Sequence, residues 1–567
     1  MKTHKVLGGI SLLLAIFFCY NCADNSKSTD LADSFQLSDN FTISYNLPTD
    51  AAVNASQAEL AAYAWQLFVA LNWESSWTSD NKRATPDTSW ELSSSDAQPD
   101  LAVWETYMHR IELRPADGKR TKDLSTGKPS YTFTMMDSIN LNGLDLSKYW
   151  NVLDEDNEIG SAYVFAHKNE HQILYEAKSN LVNYDYVKQY FPTDASLTSA
   201  QKRGSAKGID FYKSLSKAQM CASDSLSSGK NALICLPCAD ETNEGTIEIK
   251  MAFRQLDESK GDDPSRFITK EVVAFRKNPT TKKYDAKVYT FGVIGMHIIR
   301  KTQNYPTYVF ASWEQVDERN NDMQTLGIDT AGIIVNGIKY VDVDPHRLNP
   351  VIERVIPETL QNVNAVVQQK IKSVNAASKW QYYQLIGVQG TPIDYTERTS
   401  DNNYFMANYV IESDLTLTQF HGSFTDPFNA SIQNVAANGR TYNMGGCFGC
   451  HGLAQSNGTD FSFFLDNVGK PVAVPDPYQT FEEAYLASCQ DACIAECNAK
   501  CYNKCILNCD GDEDCIQKCQ SANFDDCVAT CQNDEGALCN KICEEKVANA
   551  KQEKMVSNVL SYTTDTQ

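Results

Sequence analysis

The run Cys447-Phe448-Gly449-Cys450-His451 holds the residues of this chain best suited to chemistry. Two thiols separated by two residues can each form a thioether to one vinyl group of a single porphyrin. The histidine that follows is then placed under the iron as its proximal ligand. A redox-active dithiol and half of a zinc site use the same cysteine spacing, so those two readings stand beside the first. Gly445, Gly446, Gly449 and Gly452 flank the motif, and a backbone without Cβ atoms can lie close against a flat macrocycle.

On Cys447, Cys450 and His451 the chain resembles the c-type cytochromes. The resemblance implies one covalent haem c, with iron as the metal and His451 as its ligand. Small class I members carry the motif near the N-terminus of a helical domain, with a methionine ligand some tens of residues later. Here no histidine follows His451, and the only later methionine is Met555. A sixth ligand would therefore come from Met555 or from upstream, where Met296, His297, Met406, His421 and Met444 are the candidates. A doubly ligated iron transfers electrons, whereas an open one also binds oxygen, peroxide or nitric oxide. His109-Arg110 and the pair His297 and Arg300 are candidates for such an open pocket, although a salt-bridged arginine is the simpler expectation.

The N-terminus places this chemistry outside the cytoplasm. Lys2, His4 and Lys5 precede an apolar run from Val6 to about Tyr20, a signal pattern too short to span a bilayer as a mature helix. With Cys19 and Cys22 at its end and a polar stretch beyond, it resembles a bacterial lipoprotein signal, which implies lipidation at Cys22 and anchoring in the periplasm or cell envelope. An ordinary cleaved signal is the alternative. Exported chains can keep disulfides, and haem is attached on the same side of the membrane in the family resembled.

Of 19 cysteines, twelve crowd into one C-terminal segment: Cys489, Cys493, Cys497, Cys501, Cys505, Cys509, Cys515, Cys519, Cys527, Cys531, Cys539 and Cys543. Their four-residue spacing stacks them on helix faces, and apolar residues there are sparse. Disulfide-stapled helical hairpins follow, with a thiolate store for Cu(I) or zinc as the alternative. Cys221, Cys235 and Cys238 remain. The last two form a C-x-x-C pair, read as a structural bridge to Cys221 in preference to a redox centre.

The elements that must position the motif read as an α+β protein. A capping box at Ser56 and Glu59 opens a helix with Leu60, Tyr63, Trp65, Phe68 and Val69 on one side. Ile247, Ile249, Met251 and Phe253 alternate with polar residues at the period of a half-buried strand. Further β runs lie at 163–165, 272–275, 288–299, 308–313 and 333–343, with a hairpin signal at Asn336-Gly337. A helix is expected near 357–377 and another strand near 380–388. The divisions are a signal at 1–22, a tether at 23–50 and a mixed, mostly β domain at 51–440. A haem attachment segment at 441–478, a Cys-rich helical part at 479–550 and a tail at 551–567 complete the chain. A net charge of −22 argues against nucleic acid as partner and favours a redox protein with a basic or neutral face. Three functions remain open: electron transfer, a haem-dependent oxidoreductase, and a haem-free extracytoplasmic binding lipoprotein.

Overall fold

The computed structural model describes residues 41–78, 82–93, 98–132, 139–155, 173–318, 333–335, 338–340, 356–394, 406, 408, 411 and 433–465. Cys22, His421, the run at 163–165, Met555 and the whole Cys-rich segment lie outside the described residues. An α+β architecture results, centred on one sheet of eight strands. Its main path is β1 (Met108–His109), β3 (Leu174–Ser179), β4 (Ile247–Arg254), β6 (Tyr284–Arg300), β7 (Val309–Gln315) and β10 (Tyr383–Gln389), each antiparallel to the next. β5 (Thr269–Lys277) and the short parallel β2 (Ile139–Asn140) pair with the first half of the long β6. The Asn336-Gly337 signal falls between β8 (Ile333–Val335) and β9 (Ile338–Tyr340), which pair antiparallel.

The sheet separates two apolar cores. On one face, Ile249, Met251, Met296, Ile298, Ala311 and Trp313 meet two helices, α1 (Gln57–Leu71) and α4 (Glu358–Val374). Ser56 and Glu59 cap α1 reciprocally, Glu59 N–H donating to Ser56 Oγ (3.3 Å) and Ser56 N–H to Glu59 Oε2 (2.7 Å). Trp65 Nε1 donates to Asn364 Oδ1 at 2.9 Å, which joins α1 to α4. The expected strand start at Trp380 is instead a 3₁₀ turn at Lys379–Tyr382, and β10 begins one residue beyond it. The folded body also begins before residue 51: Phe41 is buried in this core, and Ile43, Tyr45 and Leu47 pack against it.

On the opposite face lie α2 (Leu181–Tyr190), α3 (Asp194–Ser214), the hairpin β11 (Gln433–Ala437) and β12 (Arg440–Met444), and α5 (Gly446–Ser456). Alternation along β4 sends Glu248 and Lys250 to this side. A half-buried strand would leave them in solvent, yet every residue of β4 is buried. The polar face is covered by the C-terminal layer, and burying charged groups is costly unless something compensates them. Along the sheet, Lys250 pairs with His297, which pairs in turn with Ser312.

Candidate haem-attachment site

Cys447, Cys450 and His451 sit on α5 at positions i, i+3 and i+4, so all three side chains leave one face of the helix. Cys447 is buried within the second core and its N–H donates to the Met406 carbonyl at 2.9 Å; Cys450 and His451 are half-buried. His451 Nδ1 lies 2.5 Å from the carbonyl oxygen of Phe461. A carbonyl only accepts, so Nδ1 carries the hydrogen and Nε2 keeps its lone pair for a metal. Phe310 and Phe463 meet this ring edge-on, with centroids 5.0 and 4.8 Å away.

Two of the flanking glycines are needed for packing within the chain. A Cβ on Gly449 would stand 2.1 Å from the Met444 carbonyl oxygen, and one on Gly452 would stand 2.7 Å from Val435 Cγ2. Both therefore let α5 press against the β11–β12 hairpin. Gln455 completes that seam: its amide accepts from Ala436 N–H and donates to Ala436 O, each at 2.9 Å.

The segment that holds His451 is itself strained. Asp460 and Phe461 both adopt left-handed backbone, at φ 54° and 66°, which costs of order 1–3 kcal/mol each in a non-glycine residue. Asp460 is anchored on two sides. Its Oδ2 accepts from Lys301 Nζ at 2.5 Å and from the N–H of Leu236 at 2.6 Å. The C-x-x-C stretch thus helps to aim the Phe461 carbonyl at His451. Cys238 of that stretch is bonded to Cys221, the structural bridge expected. Cys235 stays a buried thiol, and burial pushes its pKa up to about 11, which leaves it a poor nucleophile.

Opposite α5, a cavity of about 60 Å³ is lined by Arg110, Arg114, Glu248, Lys250, His297 and His451, among others. Arg110 is committed to Asp154 (2.6 Å) and Glu155 (2.7 Å), and Arg114 to the carbonyls of Phe464 and Phe463. Its neighbour His109 turns elsewhere, its Nε2 to the Val152 carbonyl at 2.9 Å. Arg300 is on the other face, where it donates to the carbonyl of Pro48 and to Tyr63. Met296 also faces away, its sulfur accepting from Asn72 Nδ2. His297, in contrast, points toward α5, with its ring centroid 6.2 Å from that of His451.

The residues fit a covalent haem in their chemistry. Two thiols and an imidazole share one helix face, the imidazole tautomer is the ligating one, and the facing histidine has two buried nitrogens without hydrogen-bond partners. The cavity admits a metal ion and its bonds but not a whole porphyrin.

Sequence reasoning found the three motif residues. It missed Glu248, Lys250, Arg114, Lys301 and Asp460, whose polarity in β alternation or in a loop looks like ordinary surface. No family model, curated protein or solved structure matches this chain.

Proposed function

We propose that this protein is an exported, lipid-anchored c-type cytochrome that carries one electron at a time between protein partners of the cell envelope. One observation carries the reading: Cys447, Cys450 and His451 project together from α5, with His451 held in its ligating tautomer by the Phe461 carbonyl. When bound, the haem supplies an iron that accepts and returns a single electron. The thiols of Cys447 and Cys450 fix the group to α5. His451 offers a neutral nitrogen whose basicity is raised by the hydrogen bond at Nδ1. Phe310 and Phe463 pack edge-on against that ring. Cys22 would bear the lipid. The acidic surface suits a basic or neutral redox partner.

A haem-dependent oxidoreductase is the second reading. It draws on Arg110, Lys250 and Glu248, which line the same cavity and would face a substrate bound there.

The test is a pyridine haemochrome spectrum of the denatured full chain, matured in a host that attaches haem c. Iron tetrapyrrole should travel with the polypeptide, and the Cys447→Ala/Cys450→Ala double variant should lose it. A colourless chain of unmodified mass would sink both haem readings and leave a binding lipoprotein.

A further inference from the structure

We infer that His297 is the second axial ligand, so that the centre is six-coordinate with one imidazole from the sheet and one from α5. This rests on the haem reading above.

His297 is a buried histidine near the C-terminal end of β6, and neither ring nitrogen has a hydrogen-bond partner. An unsatisfied buried donor or acceptor costs about 1–3 kcal/mol, so two on one ring need a reason.

The spacing fits an iron between the two rings. Two metal–imidazole bonds of about 2.0–2.1 Å, plus the two ring radii, sum to roughly 6 Å. The centroids are 6.2 Å apart and the ring planes differ by 30°. They also come from opposite walls: β6 is held by β4 and β7, while α5 is held by the hairpin.

The other described candidates serve elsewhere. Met296 lies across the sheet, and Met406 and Met444 fill the second core while their carbonyls meet α5.

A bis-imidazole iron has no vacant position, which separates electron carriage from substrate reduction at the metal.

The experiment uses the full chain with its haem. Wild type should give low-spin ferric electron paramagnetic resonance and near-infrared magnetic circular dichroism bands of two imidazole ligands, and the ferrous form should bind CO poorly. His297→Ala should keep covalent haem by the haemochrome assay, turn high-spin and bind CO at least tenfold more tightly. Added imidazole should restore the low-spin spectrum. His297→Gln, closer in volume, covers the case in which alanine does not fold. Met296→Leu, on the opposite face, should change none of these spectra. A wild-type spectrum that is high-spin or of histidine–methionine type overturns the assignment, as does a His297 variant indistinguishable from wild type. Wild type without covalent haem instead overturns the cytochrome reading itself.

Discussion

Glu248 shows what a single buried charge does here. Its Oε1 accepts from Ser462 Oγ at 2.5 Å and from Asn183 Nδ2 at 3.1 Å, with Asp460 and Arg114 nearby. Burial is the dominant influence and raises its pKa from 4.5 to about 8. The Ser462 hydrogen bond and Arg114 oppose that shift, and Asp460 reinforces it. Between those two values the folded chain holds a proton that the unfolded chain releases. Stability should therefore fall as pH rises from about 5 to 8, by up to about 1.4 kcal/mol per pH unit from this group. Glu248→Gln should flatten that part of a plot of urea midpoint against pH. An unchanged slope would show that the carboxyl is ionised throughout.

At the scale of elements, the close approach of α5 to its hairpin decides where the motif points. The Cβ that Gly449→Ala introduces would meet a backbone oxygen, which cannot swing aside as a side chain could. Overpacking of this kind costs about 1–3 kcal/mol. The variant should melt at lower temperature and carry less haem per chain when both are measured on one preparation. A normal melting temperature with full haem would mean that the seam is looser than described. This contact also explains what was legible in advance. The strands in β5, β6 and β7, the capped α1 and the motif itself follow from local periodicity and residue type. The glycines beside Cys447 were equally visible, but what they touch depends on a hairpin formed by residues before the motif.

For the whole molecule, the bridge between Cys221 and Cys238 ties the helical layer to the chain entering β4. The bonded cysteines are separated by 17 positions, and closing a loop of that size stabilises by about 3 kcal/mol through the unfolded state. Because Leu236 N–H holds Asp460, the same loop supports the segment that carries Phe461. Cys221→Ser/Cys238→Ser should lower unfolding stability by about that amount in urea, and reductant should do the same to the natural chain. Equal stability with and without reductant would show that the bridge contributes nothing.

The sequence by itself determined the spacing of the two thiols and the imidazole, the strand and helix periodicities and the preference for a structural bridge over a redox pair. Each is local, written within a few residues or one element. Only tertiary structure decided that the polar face of β4 is buried, that Met296 turns from the motif and that His297 turns toward it. Period-two alternation assigns neighbours to opposite faces of a strand, but it cannot say which face another layer will cover. That choice is made by long-range packing of the C-terminal layer, and it brings two histidines distant in sequence to within 6.2 Å.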